Sequence, residues 1–594
     1  MSAPVLETAQ PATTARARIA ALLGTRRSFV AALAGSSVVS GLAESAMLVT
    51  LATVATRVAQ RHHGQASSLV GGLIGHAAIG TLFAFAALFA LIRLCMQFPI
   101  AYLTARIGAD VQAQLRKEIA DAFTATSWAQ QASDREGYLQ DTMTSQVLQG
   151  TQGALQATTI LSASINFTIL MITALVINAK AAVVVALVAA GLLALLRPLR
   201  RTGIKRAREL SRSQLDFASA LSEMQRLAAE SQVFGVEQAQ RDRLEAFTLK
   251  ARRLFLQSQT MVRLTPSVYQ SMIFLLIIIG LYALYQISAS ALASLGAVIL
   301  LLVRTGTSAQ QIQGAQQALS QSLPFIERLQ ETARRYRDSI PVDGEAKLEG
   351  IADVAFARVS FAYREDTPVL QDVSFSVPAG ETVGVIGPSG AGKSTLVQLL
   401  LQLREPTSGE YLVNGFPASG YRRADWHRLV SYVPQEPQLI HATVAENIRF
   451  LRDELTDDDI ERAAKLSHIH DVIMSWPDGY ETIVGPRADA VSGGQQQRIC
   501  LARALAPQPA VLILDEPTSA LDPSSEDLIQ ASLRELKEKL TIFIVAHRMS
   551  TLGICDRVMV IVDGRLAAFD PIPVLERESA YYRRATSLAA GELA

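Results

Sequence analysis

The fourteen residues Met272 to Tyr285 are thirteen apolar side chains and Gly280, without one charge. A run of this kind leaves no polar face to turn toward water, so it has to be sheathed on every side by protein or by lipid. It is one of six. Apolar stretches recur at about 28–57, 71–104, 154–177, 181–199, 266–287 and 289–304, and about 20 apolar residues suffice to cross a bilayer core. Hydrophobic residues make up 49% of the chain and charged residues 18%, which is greasy for a water-soluble protein. A large soluble helical protein is therefore disfavoured, and the first half reads as six membrane spans.

Charge sets the orientation. Arg26, Arg27, Arg106, Arg116, Lys117, Arg200, Arg201, Lys205, Arg206, Lys250, Arg252 and Arg253 flank one side, whereas the other side carries few cations, such as Arg57, Arg61 and Lys180. Positive residues stay cytosolic, so both termini and two long polar helical stretches, about 106–150 and 200–262, are expected there. Short loops at His62–Ser68, Asn178–Lys180 and around Ser288 face the other side. The first 27 residues read as a cytosolic tail, with no removable signal peptide, and Ala15–Arg27 as either an amphipathic surface helix or disorder. A formal net charge of +1 gives no reason to expect nucleic acid. Cys95, Cys500 and Cys555 are too scattered for a zinc site or a disulfide framework.

The pattern changes after residue 303. A helical segment, Thr305–Tyr336, and a polar link, Arg337–Gly350, lead to strand-like runs alternating with helical ones. The runs are Val354–Tyr363, Glu381–Ile386, Tyr411–Val413, Leu429–Val433, Ala510–Leu514, Thr541–Ala546 and Arg557–Val562. This predicts an α/β domain around a mainly parallel sheet. After the second run come Gly387, Pro388, Ser389, Gly390, Ala391, Gly392, Lys393, Ser394 and Thr395, the phosphate-loop pattern in its strand–loop–helix setting. Glycines let backbone N–H groups converge on phosphate oxygens, and the helix start favours negative charge. Lys393 would reach the β- and γ-phosphates of ATP and Ser394 would ligate Mg²⁺. The greasy strand Val511–Leu514 ends in Asp515 and Glu516. Asp515 would hold Mg²⁺ through water, and Glu516 would orient and deprotonate the attacking water.

Val491-Ser492-Gly493-Gly494-Gln495 resembles the signature sequence of ATP-binding cassette (ABC) transporters, with Val491 where the family usually has Leu. The resemblance extends over nearly the whole chain and is of the exporter type. It implies an all-α transmembrane domain followed by an α/β P-loop ATPase domain. It further implies that Tyr363 stacks on adenine, that Gln435 is the Q-loop glutamine near the metal and water, that Ser519–Asp522 is the D-loop, and that His547 contacts the γ-phosphate. Ser492, Gly493, Gly494 and Gln495 would meet nucleotide bound to a partner domain. Pro486 replaces an acid common just before the signature.

The expected organisation is a tail (1–27), a transmembrane domain (28–336), a link (337–350) and an ATPase domain (351–594). Coupling helices are expected in Ser127–Leu139 and near Met224–Gly235. The complete motif set favours a homodimer, with a related half-transporter as the alternative partner, in a bacterial inner membrane. The resemblance implies ATP-driven export or flipping of a lipid, drug, peptide or secondary metabolite; the alternative is an importer on the same fold. Glu44, Arg93, Arg304 and Asn166 are polar positions within spans. Glu44 is expected to contact cargo or a basic partner, and a helix–helix pair is the plainer reading.

Overall fold

A computed structural model of the chain describes residues 24, 26–60, 79–135, 137–177, 197–287, 292–364, 367–486, 491–518, 521–546 and 548–589. It divides into two compact units, Met1–Thr126 with Gln130–Ile340, and Ser127–Ala129 with Pro341–Ala594.

Among its described residues the first unit is helical: α1 (Arg27–Gln60), α2 (Ile79–Ala125), α3 (Trp128–Ser133, whose Trp128 and Ala129 group with the second unit), α4 (Tyr138–Asp141), α5 (Val147–Ile177), α6 (Arg197–Arg226), α7 (Ala228–Val233), α8 (Glu237–Ile287) and α9 (Leu292–Asp338). A π-helical turn, Thr142–Gln146, joins α4 to α5. At 1.5 Å per residue the 47 residues of α2 extend about 70 Å and the 51 of α8 about 77 Å, over twice the thickness of a hydrocarbon core. Each therefore continues unbroken from an apolar stretch into a polar one. The short α3 and α7 fall inside the two windows where coupling helices are expected. Leu33, Ile107, Leu115, Ile119, Val147, Ile326 and Leu329 make one buried core, and Leu48, Leu170 and Leu301 another. Gly153 lets α5 approach α9, since a Cβ there would lie 3.0 Å from both Ile326 and Ser322.

Among the described residues, three helices are long and apolar enough to cross a membrane: Arg27–Val54, Ile79–Ala125 and Tyr138–Ile177. Only 11% of the most apolar window of the second is buried by protein. Phe83, Phe85, Leu88, Leu91 and Phe98 point outward there, as expected where lipid is the solvent. The sequence reading of six spans is thus met by three. Most of the span at 181–199 and the loops at 62–68, 178–180 and 288 lie outside the described residues, as does nearly all of the tail. The spans at 266–287 and 289–304 sit at the ends of α8 and α9, whose remaining lengths are polar.

The second unit holds twelve strands among its described residues. Strands β3 (Thr382–Ile386), β6 (Val430–Val433), β9 (Val511–Asp515), β10 (Thr541–Val545), β11 (Arg557–Val562) and β12 (Arg565–Asp570) form one sheet in the order β12-β11-β3-β10-β9-β6. Its pairings are parallel except β11 with β12. The central strands are buried on both faces, which is why they read as continuous apolar runs. A second, antiparallel sheet has the order β2-β1-β4-β5, from β1 (Asp353–Arg364), β2 (Thr367–Pro378), β4 (Ser408–Val413) and β5 (Phe416–Pro417). The two-residue strands β7 (Ala442–Thr443) and β8 (Ile483–Val484) pair separately.

Every strand expected from sequence is present within two or three residues; β2, β5, β7, β8 and β12 were not foreseen. In β2 the alternation Val373, Phe375, Val377 is broken from Leu370 by a register shift in which Asp372 takes φ +53°, so the two-residue period is lost.

Candidate nucleotide-binding site

Parallel pairing brings the chemical motifs to one edge. Val545 of β10 lies level with Val385 of β3 on one side and Asp515 of β9 on the other, and Val433 of β6 lies level with Leu514. The segments leaving these strands are the phosphate loop, the Asp515–Glu516 pair and the turn to Gln435. They emerge side by side at the carboxyl ends of the strands, where open α/β sheets bind ligands.

The loop 387–392 wraps its own lysine. Lys393 Nζ donates to the carbonyl oxygens of Gly387 at 2.8 Å and Pro388 at 3.0 Å. Gly392 has φ +101°, and a Cβ there would lie 2.7 Å from Leu370 Cδ2 and 3.1 Å from the Val369 oxygen, so only glycine fits. At Gly387 a Cβ would lie 2.1 Å from the Ile561 carbonyl oxygen. Helix α10 (Lys393–Leu400) then starts, and the first helical hydrogen bond runs from Leu396 N to Gly392 O at 2.9 Å. The N–H groups of the preceding residues have no acceptor within the helix, so they form the donor set that phosphate oxygens require. Burial lowers the Lys393 pKa below the ordinary lysine value, while the nearby Glu516 and Asp515 charges act to raise it.

Glu516 takes φ +47°, a left-handed conformation uncommon outside glycine, and its N–H donates to Val545 O at 3.0 Å. That bend aims its carboxylate back across the sheet edge, where Gln435 Nε2 donates to Glu516 Oε2 at 2.8 Å. The sequence-selected Gln435 and Glu516 are therefore in direct contact. For a divalent ion, Ser394, Asp515 and Gln435 offer only oxygen donors. That hard donor set fits Mg²⁺, which takes one or two protein ligands and keeps its waters and phosphate oxygens.

Tyr363 ends β1 half-exposed. Its hydroxyl lies 3.1 Å from Thr395 Oγ1 and donates to Gln398 Oε1 at 3.3 Å, which ties the ring to α10. The Arg404 guanidinium sits 4.7 Å from its centroid and 5.4 Å from the Trp128 ring of the same unit. Sequence reasoning missed Arg404, because only tertiary packing brings it to Tyr363. It also missed Tyr432, three residues before Gln435, whose hydroxyl is pushed up to about 12 by burial and the Asp515 carboxylate.

The signature residues lie elsewhere in the unit. Ser492 caps helix α11 (Gly493–Leu505): its Oγ accepts from Gln495 N at 3.2 Å, and Gln495 Oε1 accepts from Ser492 N at 2.9 Å. This capping box presents Ser492 and Gly493 to solvent at a helix N-terminus. Gly494 packs against Ser525, where a Cβ would lie 2.2 Å from the hydroxyl oxygen. Asp522 caps helix α12 (Pro523–Leu536), accepting from Ser525 N at 3.0 Å. The Ser524 hydroxyl, then Ser525, hold the Asp522 carboxyl well below the usual carboxylate range. Among the described residues, no hydrogen bond or ion pair links Ser492 to the phosphate loop. His547, Ser519 and Ala520 lie outside the described residues.

Residues 370–519 match the family model described as ABC transporter. ATP-binding cassette sub-family B member 6 of Homo sapiens is 43% identical over 211 residues, which cover 36% of this chain and 25% of that protein. A putative ABC transporter ATP-binding protein, MG015, of Mycoplasma genitalium is 37% identical over 248 residues, 42% of each chain. The β-(1→2)glucan export ATP-binding/permease protein NdvA of Agrobacterium vitis is 39% identical over 224 residues, 38% of each. The matched stretches thus span between a quarter and two fifths of these relatives. A solved structure, a bacterial Atm1-family ABC exporter with ATP bound, superposes with a TM-score of 0.81 over 94% of this chain and 99% of its own, at 23% identity. That likeness concerns the fold.

Proposed function

We propose that the chain is an ABC transporter of the exporter type, an ATP-driven exporter or flippase working as a dimer by alternating access; the family match over residues 370–519 and the exporter-type fold support this. One observation carries the reading: a single polypeptide joins long apolar helices to a phosphate-binding helix start that has Gln435 and Glu516 beside it and a separate, solvent-facing signature helix. The solvent-facing, capped Ser492 N-terminus favours an anion that its own phosphate loop does not bring to it, and a second copy would supply one. Two copies facing each other complete two equal sites, which favours the homodimer over pairing with a related half-transporter.

In each site the α10 amides and Lys393 hold the phosphates of ATP, and Tyr363 stacks on the adenine. Ser394, Asp515 and Gln435 are the residues that would hold Mg²⁺, whose charge would offset that of the phosphates. Glu516 accepts the proton of the attacking water, and His547 contacts the γ-phosphate. Gln435 already touches Glu516, so motion at the Q-loop moves the base. Because nucleotide contacts both copies only when they are closed, it favours the closed state, and hydrolysis removes that preference. Six spans per copy, with α3 and α7 as coupling helices on ATPase domains, carry the motion into the membrane. The exposed Val233 and Phe234 at the end of α7 offer an apolar docking tip. The flanking cations support cytosolic ATPase domains, and the membrane proposed is a bacterial inner one. Domain limits of 28–336 and 351–594, joined by a link at 337–350, fit this division. The outward direction is supported by the names of NdvA and the Atm1-family neighbour, both exporters.

The test is ATP-dependent movement of labelled lipid, drug, peptide and siderophore probes in sealed proteoliposomes with ATP outside. Accumulation of any probe inside, abolished by Glu516→Gln, is the expected result. Movement only in the opposite sense would make the chain an importer, and hydrolysis with no flux of any probe would refute transport.

A further inference from the structure

Glu44 lies on α1 about 25 Å along the helix from Arg27, deep in the apolar stretch, and is 2% exposed. The expectation that it contacts cargo is replaced by the other reading, a basic partner, and there are two. Arg304 of α9 donates from Nε to Glu44 Oε1 at 2.5 Å and from Nη2 to the same oxygen. Arg93 of α2 donates from Nε to Oε2 at 3.2 Å, and Asn166 of α5 donates from Nδ2 to that oxygen at 3.3 Å. Four helices meet at one carboxylate. The polar lining continues along the same part of α1, where Gln97 Nε2 donates to Ser40 Oγ at 3.4 Å and the Ser45 hydroxyl lies 2.5 Å from that of Thr173.

The charges do not balance. Two guanidiniums share one carboxylate, which leaves +1. The sequence shows that no other segment can correct this, because there is no Asp or Glu at 8–43, 45–109, 142–208 or 246–326. Glu44 is therefore the sole acid within the six apolar stretches of the chain, and a second copy brings the same surplus rather than a remedy. The arginines are also not consumed by Glu44. Their side chains remain 36% and 38% exposed, and each guanidinium has five N–H donors. The Asn166 Oδ1 is buried with no donor among the described residues, so the cluster also has an unmet acceptor. An uncompensated charge at this depth is costly and marks function more often than packing.

We propose that Arg93 and Arg304, aligned by Glu44, form an anion-binding site for the cargo, whose carboxylate or phosphate supplies the missing negative charge. This rests on the transport reading and narrows its substrate class to organic anions. Planar guanidiniums pair with either group through two parallel hydrogen bonds. The anion comes either from a lipid headgroup or from a soluble molecule, and the experiment separates the two.

The full chain is placed in nanodiscs of phosphatidylcholine, and binding of carboxyfluorescein, an anionic dye, is followed by anisotropy. Rhodamine 123, a cation on a related ring system, is the control. A parallel arm replaces part of the lipid with phosphatidylglycerol and asks whether that lipid competes. Saturable carboxyfluorescein binding is expected, weakened about tenfold or more by Arg304→Gln and by Arg93→Gln, retained by Arg304→Lys, and unchanged or tightened by Glu44→Gln, which raises the local charge to +2. Competition by phosphatidylglycerol assigns the site to a headgroup, and its absence to a soluble anion. Absence of binding in both arms, equal binding of the cationic dye, or equal affinity in the arginine-to-glutamine variants overturns the proposal. Should an arginine-to-glutamine variant fail to fold, Arg304→Lys and Glu44→Gln still decide: both are expected to keep carboxyfluorescein binding, and its loss in both overturns the proposal. Basal ATP hydrolysis is measured on the same samples. Its loss with dye binding intact would count against the transport reading alone, and dye insensitivity with hydrolysis intact against the anion site alone.

Discussion

Ser492 has two separable jobs in this reading, and two substitutions divide them. In the chain as it stands, its hydroxyl caps α11 through a 3.2 Å bond from Gln495 N. In the proposed closed dimer it would meet a phosphate of nucleotide held by the partner. Ser492→Ala removes the cap, which costs about 1 kcal/mol. For a unit the size of Pro341–Ala594 that corresponds to a fall in melting temperature of about 2–4 °C. Ser492→Asp restores the cap and adds a favourable charge at a helix N-terminus, about 0.3–1 kcal/mol, so its melting temperature should equal or slightly exceed that of the parent. In the proposed closed dimer the same carboxylate would face phosphate. Like charges about 4 Å apart at an effective dielectric of 20 repel by about 4 kcal/mol, roughly a thousandfold in closure. The assay is scanning fluorimetry without nucleotide beside steady-state ATP hydrolysis. Ser492→Asp should melt normally and hydrolyse at least a hundredfold more slowly, whereas Ser492→Ala should melt early and keep much more activity. Normal hydrolysis by Ser492→Asp would refute the placement of this helix against nucleotide.

Gly392→Ala should destabilise the second unit by about 2–4 kcal/mol, combining a left-handed φ with overpacking against Leu370, and urea titration followed by intrinsic fluorescence would show it. An unchanged midpoint would mean that the loop relaxes freely. Burial pushes the Cys555 thiol up to about 12 and raises that of Cys500, so both stay neutral thiols at pH 8, well below the point where thiolate forms. N-ethylmaleimide with mass-spectrometric mapping should leave both unmodified in the native chain at pH 8 and modify both in urea. Rapid native labelling would contradict the packing of α11 and of the segment before β11. Substituting Arg404 by Ala removes the guanidinium over Tyr363 and should weaken nucleotide affinity a few-fold without changing the maximal hydrolysis rate, as titration with a fluorescent ATP analogue would show.

Local chemistry made much of the second unit readable before its coordinates. The phosphate loop, the Asp515–Glu516 pair and the signature each depend on residues contiguous in sequence, and buried parallel strands announce themselves as unbroken apolar runs. β2 escaped because the bulge at Asp372 cancels the two-residue period that betrays a strand. In the first unit, the run of apolar residues located the membrane stretches. Helices such as α2 and α8 run straight through from lipid-like to water-like surroundings, so their limits are not marked by any change in periodicity.

From its order of residues alone, this chain was bound to possess greasy helices, a phosphate-gripping turn and a surplus cation among its apolar stretches, since hydropathy, glycine placement and charge count are properties of the string. Partnership was decided only by folding. That Gln435 grips Glu516, that Arg404 covers Tyr363, and that Arg93 and Arg304 converge on Glu44 from positions 49 and 260 residues away are consequences of packing. No local pattern encodes which distant side chain will share a buried site, because the energy of such a contact exists only once the intervening helices have closed around it.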